Sequence, residues 1–286
     1  MENDNQNLKW VFFGTTEFSV IVLDELKVAG FVPELIVTIP DKPKGRGLVL
    51  TPPPVKIWAE ENQIEISQPE TLGGLAAKWG EKKWDVFIVF SYGKIIPKAV
   101  LNISKHGTLN LHPSLLPKLR GPSPIKSAIL KEDETGVSII KLDTEMDHGP
   151  ILAQKKVDTP EWPPYEADLE NKLAHEGGKL LAEIMPEWVE GKIEAKEQDH
   201  QSATVCKKIE KEDGEINLGN DAEINLRKIR AFHVWPTAYF FDNDKRVIVK
   251  RAHIEDGQLV LERVVPEGKK EMDYKDYLRG NLKISN

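Results

Sequence analysis

Asn110-Leu111-His112 closes a short apolar run, GTLNLH. On a strand, residues two apart share a face, so the carboxamide and the imidazole project together. At the carboxyl end of a parallel strand they would lie where open α/β sheets bind ligands. Such a pair suits acyl transfer, in which the amide donates to a developing oxyanion and the imidazole donates or moves a proton. Taken alone, a strand histidine is as readily a structural group. The residues that follow, from Pro113 to Gly121, set two prolines and a glycine around two adjacent leucines. Ser114, Leu115, Leu116 and Pro117 in that loop suit a rigid wall against a flat ligand, or simply a connection with a buried dileucine. A second turn, LDTEMDHGP at 142–150, carries Asp147. A carboxylate there could orient the imidazole or relay protons, and on spacing alone Asp143 and Glu145 are its rivals.

Other chemistries find less support. GTTEF at 14–18 sits at a strand-to-helix junction of the kind that binds phosphate, but Gly14 equally serves a tight turn. The chain has neither GxGxxG nor GxxxxGK[ST], which removes the nicotinamide and P-loop readings. Its seven histidines lack paired ligand spacing and its one cysteine, Cys206, stands apart from the cleft residues, so no metal and no thiol nucleophile is expected. Apolar runs such as 86–90 fall far short of the roughly 20 residues that span a bilayer. The polar first nine residues carry no secretory core, so the expectation is a cytoplasmic globular protein. A net charge of −7 argues against indiscriminate nucleic-acid binding. The charge is uneven, however: 16 Lys+Arg against 15 Asp+Glu from residue 203 onward, and 23 against 31 before it. That asymmetry fits an accessory domain facing nucleic acid, or two ordinary domains that differ by chance.

The elements that must position these residues follow an α/β pattern. Apolar runs at 9–13, 35–39, 85–90, 107–112, 137–142 and 151–156 read as strands. Helical spacing at 17–29, 55–62, 71–83 and 165–188 separates several of them, which predicts a doubly wound, mostly parallel sheet. Residues 41–47, with 51–54 close behind, are too rich in proline and glycine for regular structure and read as a surface loop. After about Gly191 the texture changes. A short helix at 221–232 precedes strand and tight-turn patterns, with turns at Asn243-Asp244 and Asp256-Gly257. Two domains are expected, 1–190 and 207–286, joined by a linker at 191–206, the second being a small OB-like β-barrel.

Together the cleft motifs resemble the folate-dependent formyltransferases, whose glycinamide ribonucleotide and sugar-amine branches carry related triads. The motifs FFGTTEFS, PDKPKGRG at 40–47, TPPPVK at 51–56, QPETL at 68–72, IRAFHVWPTAY at 229–239 and the closing VVPEGKKEMDYKDYLRG are similar to the methionyl-tRNA formyltransferase family in particular. The resemblance runs from about residue 9 to 280. It implies transfer of the formyl group from 10-formyltetrahydrofolate to the α-amine of initiator methionyl-tRNA, without a metal, by a cytoplasmic monomer. It further implies that Asn110, His112 and Asp147 are the catalytic trio and that Ser114, Leu115, Leu116 and Pro117 contact the folate. Arg46 would engage the acceptor end of the tRNA, and the C-terminal barrel would bind tRNA. An amino-sugar nucleotide N-formyltransferase with the same donor is the alternative. The sequence departs from the family in the Leu48-Val49-Leu50 run after GRG, in its short, near-neutral second domain, and in His148 beside Asp147.

Overall fold

A computed structural model describes residues 8–45, 47–80 and 82–282. The chain divides into two compact units. Unit 1 comprises Met1–Arg120, Thr135–Val157 and Glu170–Val205; unit 2 comprises Gly121–Glu134, Asp158–Leu169 and Cys206–Asn286. The segment expected as a linker therefore counts with unit 1 as far as Val205.

The first elements are β1 Trp10–Gly14, α1 Glu17–Val28, β2 Leu35–Val37, β3 Lys42–Lys44, β4 Val49–Thr51, α2 Pro54–Glu61 and β5 Glu65–Ser67. There follow α3 Leu75–Trp79, β6 Val86–Phe90, α4 Lys98–Leu101, β7 Thr108–His112, α5 Pro124–Lys131, β8 Thr135–Lys141, β9 Ile151–Val157 and α6 Glu166–Val189. The chain closes with α7 Ala222–Ala231, β10 Tyr239–Asp242, β11 Lys245–Glu255, β12 Gln258–Pro266, β13 Met272–Asp273 and α8 Tyr274–Leu282.

Unit 1 is built on a seven-stranded sheet in the order β5-β2-β1-β6-β7-β8-β9. The first five strands are parallel, and β8 and β9 run antiparallel to their neighbours. β1 and β6 are buried along their whole length, as their unbroken apolar sequences require of strands covered on both faces. Phe13 centres an aromatic cluster, 5.5 Å from both Phe87 and Tyr92 and 6.3 Å from Trp79. Thr16 caps α1 by accepting from the Ser19 backbone N–H, and the Ser19 hydroxyl donates to the Phe90 carbonyl at 2.8 Å. A side chain at Gly14 would strike Phe12 and Ser19, so this glycine serves the close βα turn.

Two expectations change. Residues 41–47 are not wholly irregular: β3 and β4 pair as a hairpin, with Lys42 opposite Thr51 and Lys44 opposite Val49. A two-stranded ribbon tolerates Pro43, whose missing donor costs nothing on an unpaired edge. The helix expected over 71–83 shrinks to the five residues of α3, between Gly74 and Gly80 at its caps.

Unit 2 carries a four-stranded antiparallel sheet, β10-β11-β12-β13, which a parallel bridge from Glu215 to Tyr239 extends. Both turns flagged in the sequence have two successive left-handed residues, Asn243-Asp244 and Asp256-Gly257, matching the twist of two-residue hairpins. Asp221 caps α7 by accepting from the N–H groups of Glu223 and Ile224. Ile216, Leu226, Ile229, Phe240, Val247 and Val264 form the core of this unit. The Arg227 guanidinium donates to the carbonyls of Ile129 and Glu132, which ties α5 to α7.

Gly177 and Gly178 lie inside the continuous helix α6, where each would ordinarily cost up to about 1 kcal/mol relative to alanine. A Cβ at Gly177 would lie 2.6 Å from Leu111, between Asn110 and His112 on β7, and one at Gly178 would lie 2.8 Å from Glu25 of α1. Gly177→Ala is therefore expected to lower stability by about 1–3 kcal/mol through overpacking. Gly280→Ala, which meets no atom within 4 Å in α8, should be neutral or raise it by up to about 1 kcal/mol. Urea denaturation of both variants checks this, and a Gly177→Ala protein at least as stable as the parent would contradict the close approach.

Candidate active site

β7 presents Asn110 half-buried and His112 buried. Asn110 stands between Val89 of β6 and Ile140 of β8, and His112 opposite Ser138. The strand thus lies where the sheet changes from parallel to antiparallel pairing.

The loop after His112 turns back beneath the ring. His112 Nε2 lies 3.0 Å from the Leu119 carbonyl oxygen. A carbonyl oxygen only accepts, so Nε2 carries the hydrogen and Nδ1 is the ring atom turned the other way. Leu119 adopts a left-handed backbone, with φ of 61°, a cost of order 1–3 kcal/mol for such a residue. Thr204 offsets it: its hydroxyl accepts from the Leu119 N–H at 2.9 Å and its carbonyl from the Arg120 N–H at 2.9 Å.

Ser114, Leu115, Leu116 and Pro117 divide into two roles. Ser114 and Leu116 are buried, and the Ser114 hydroxyl donates to the Lys118 carbonyl at 2.7 Å. Ser138 on β8 accepts from the Leu116 N–H and donates to the Ser114 carbonyl, while Gln154 on β9 donates to the Leu116 carbonyl. Leu115 and Pro117 are half-buried and form the accessible side of the loop. Leu115 packs over Gly136, where a Cβ would displace it.

Asp147 arrives by a less direct route. β8 is antiparallel to β7, with Lys141 opposite Leu109, so it delivers the chain to the end of β7 away from His112. Residues 142–150 then fold back along the sheet by about 10 Å, three residues of strand rise. Asp147 Oδ1 ends 3.6 Å from His112 Nδ1, and both side chains are largely buried. Its rivals are occupied or turned outward. Asp143 accepts from His148 Nδ1 at 2.7 Å and from the Glu145 N–H at 2.8 Å, and Glu145 is exposed. Asp147 has a φ of 52°, a conformation that aspartate tolerates better than most residues. The Gln198 amide holds this turn by donating to the carbonyls of Asp147, at 2.9 Å, and Gly149, at 2.7 Å. Neither Gln198 nor Thr204 was flagged in the sequence; the only signal was that 192–206 lacks the glycine and proline of a free tether.

Three of the sequence motifs meet elsewhere in unit 1. Asp41, at the base of the β3–β4 hairpin, pairs with Lys56 at 2.8 Å and accepts from Gln68 at 2.7 Å. Those two hydrogen bonds, the Gln68 one foremost, hold its carboxyl below the ordinary aspartate value. Leu48 in the turn of the hairpin and Val49 and Leu50 on β4 are exposed. Arg46 itself lies outside the described residues. Cys206 is buried and accepts from the Ser123 N–H. Among the described residues no group of three or more His, Cys, Asp or Glu could hold a metal ion, and no helix is long and apolar enough to cross a membrane.

Unit 2 has a groove of about 550 Å³ lined by Tyr165, His233, Lys250, Arg251, Arg263 and Glu271 among others. Tyr165 meets His233 edge-to-face at 5.0 Å, with the Arg230 guanidinium 5.4 Å from the tyrosine ring. Burial, then the Lys250 charge, pushes the His233 imidazole below its usual value, and burial pushes the Tyr165 hydroxyl up. Both rings are therefore neutral near pH 7, and the groove's positive charge comes from lysine and arginine.

The N-terminal formyl transferase family model matches residues 8–185, and the formyl transferase C-terminal domain model matches 208–258. A methionyl-tRNA formyltransferase of Chloroflexus aggregans is 44% identical over 82% of this chain and 76% of its own length. Another, from Halalkalibacterium halodurans, is 37% identical over 96% of this chain and 95% of its own. Among solved structures, the Helicobacter canadensis N-formyltransferase in complex with folinic acid and dTDP-3-aminofucose superimposes with a TM-score of 0.64. It covers 93% of this chain and 98% of its own at 19% identity, a likeness of fold alone. The two family models and the near full-length identity to named relatives agree, and the chain belongs to the methionyl-tRNA formyltransferase family.

Proposed function

We propose that this chain formylates the α-amine of initiator methionyl-tRNA with 10-formyltetrahydrofolate as donor, through Asn110, His112 and Asp147. The observation that carries the assignment is the approach of Asp147 to His112 Nδ1, two residues along one strand face from Asn110. A neutral amine attacks the formyl carbon and the carbonyl oxygen becomes an oxyanion. A donor aimed at that oxygen is commonly worth about 3 kcal/mol, and the Asn110 amide is one candidate. With the Nε2–H committed to Leu119, the ring works through Nδ1, which accepts a proton from the attacking amine and shares it with Asp147. The surplus proton of the attacking amine leaves toward this pair, and one returns to N10 of the folate as the C–N10 bond breaks. The proton count closes without a metal.

The same proposal sets the folate against the loop of Ser114, Leu115, Leu116 and Pro117. Leu115 and Pro117 offer the apolar contact, while Ser114 and Leu116 hold the loop's shape. The division of labour assigns catalysis to residues 1–190 and tRNA contact to 207–286, with 191–206 joining them, in a monomeric cytoplasmic enzyme. For the tRNA, the exposed lysines of the β3–β4 hairpin and the neighbouring Arg46 suit the acceptor end. The groove of unit 2 suits phosphate through Lys250 and Arg251, and a base or sugar face through Tyr165. Identity of 37% over nearly the whole chain to a methionyl-tRNA enzyme, against 19% for the sugar-nucleotide complex, favours tRNA over an amino-sugar acceptor.

Asn110→Ala and His112→Ala should each lower kcat by about 10²-fold or more with folding intact. Asp147→Asn should lower kcat while leaving the folate KM unchanged. Formylation of charged tRNA under saturating donor measures all three, and wild-type turnover in any variant removes that residue from the mechanism. Arg251→Ala and Arg46→Ala should instead raise the KM for methionyl-tRNA several-fold and spare the folate KM. For a phosphate contact, each should also reduce the salt dependence of tRNA binding by about one unit of log–log slope. An unchanged slope would remove that contact.

A further inference from the structure

The imidazole and the carboxylate proposed to react are linked through one dipeptide, Leu119-Arg120, and the link to Asp147 passes through a side chain outside the trio. Arg120 is buried, and its guanidinium donates twice to Gln198 Oε1, through Nε at 3.1 Å and Nη2 at 2.6 Å. A guanidinium has only donors, so it fixes which end of the Gln198 amide faces it and leaves Nε2 pointing the other way. There Nε2 meets the carbonyls of Asp147 and Gly149. Gln198 is itself 5% exposed, so these bonds form out of competition with water. The turn they hold is the one that must fold back along the sheet, and its backbone at Asp147 is left-handed. Two neighbouring contacts brace it: Arg120 Nη2 also donates to His200 Nδ1 at 2.9 Å, and the His200 ring stacks on His148 at 4.1 Å, 2° from parallel.

We infer that Gln198 is a positioning residue for the formyl transfer, setting Asp147 against His112 Nδ1, with Arg120 fixing the orientation of its amide. The inference rests on Asp147 acting in the reaction, as proposed above. Among the described residues, the Gln198 side chain hydrogen-bonds the two carbonyls of the turn and Arg120 behind it, so its effect should fall on kcat and leave both KM values in place.

The decisive variant is Gln198→Glu, which keeps the acceptor that Arg120 requires and replaces the donor with an oxygen that repels both carbonyls. Steady-state formylation with each substrate varied, beside the thermal unfolding midpoint, is to be measured for Gln198→Glu, Asp147→Asn and the double variant. The expected result is a fall in kcat of about 10²-fold, the scale of a misplacement of about 1 Å, with both KM values within about twofold. In the Asp147→Asn background the same substitution should change kcat by no more than about twofold, since groups acting through one another are not additive. A wild-type kcat for Gln198→Glu overturns the inference, as does a change confined to KM, or losses that multiply in the double variant. A normal Asp147→Asn enzyme instead overturns the reading on which the inference rests, and the single variants tell these apart. If Gln198→Glu does not fold, Arg120→Lys keeps the buried charge and loses the two-pronged grip. It should lower kcat several-fold in the parent and leave Asp147→Asn unaffected, and additive losses there overturn the inference equally.

Discussion

The hydrogen bond from His112 Nε2 to the Leu119 carbonyl decides what the rest of unit 1 has to accommodate. It places the hydrogen on Nε2 and leaves Nδ1 facing Asp147, so any proton chemistry must come to that side. For the carbonyl to be there, the chain must reverse between residues 113 and 119 and hold Leu119 in a left-handed conformation. Neither is stable in isolation. Both are held by polar contacts from residues distant in sequence: Ser138 and Gln154 on the sheet, and Thr204 beyond α6. The strain at Leu119 is thus offset by contacts that form only when the whole unit is folded, as is usual for strained residues near functional sites.

The carboxylate poses the opposite problem. An imidazole can be fixed by one bond behind it, but Asp147 sits in a nine-residue connection between antiparallel strands that leads away from His112. Side chains alone could not keep such a loop folded back over the sheet. The structure secures its backbone instead, through the Gln198 amide and through close packing at Gly149, where any Cβ would strike the Lys141 carbonyl. Rigid sheet residues carry the imidazole and the amide, and a clamped loop carries the carboxylate. The two meet because residue 119 holds the imidazole and residue 120 holds Gln198, which clamps the loop.

This division explains what was legible in the sequence. Continuous apolar runs announced β1 and β6 because burial on both faces leaves no room for polar residues. The hairpin turns of unit 2 were legible because left-handed pairs need Asn, Asp or Gly. Asn110 and His112 could be paired because strand periodicity is local. Asp147 could not be separated from Asp143 and Glu145, since the choice depends on a fold-back whose register is set by contacts some fifty residues away. Gln198 and Thr204 were missed for the same reason: polar side chains after a long helix look like solvated tether until their partners are known. The β3–β4 hairpin was hidden by its own Pro43, Gly45 and Gly47. The glycine pair Gly177-Gly178 within α6 is legible only as a local penalty, because Leu111 and Glu25, which require it, come from other elements.

Net charge conceals how the proposed tRNA surface is composed. The near-neutral total after residue 203 suggests weak attraction, yet neutrality here is local pairing rather than scarcity of cations. Arg263 is held by Glu271 at 2.9 Å and Asp273 at 3.0 Å, and contributes little field beyond the groove. Lys250 donates to the His233 carbonyl and keeps its full charge, because a backbone acceptor does not neutralise it. Beside these cations, Tyr165 and a neutral His233 supply aromatic surface whose contact energy is insensitive to salt. A surface with few free cations and two neutral rings would hold a charged tRNA by a small number of phosphates and by shape. It would therefore release a bound tRNA without breaking a large electrostatic contact.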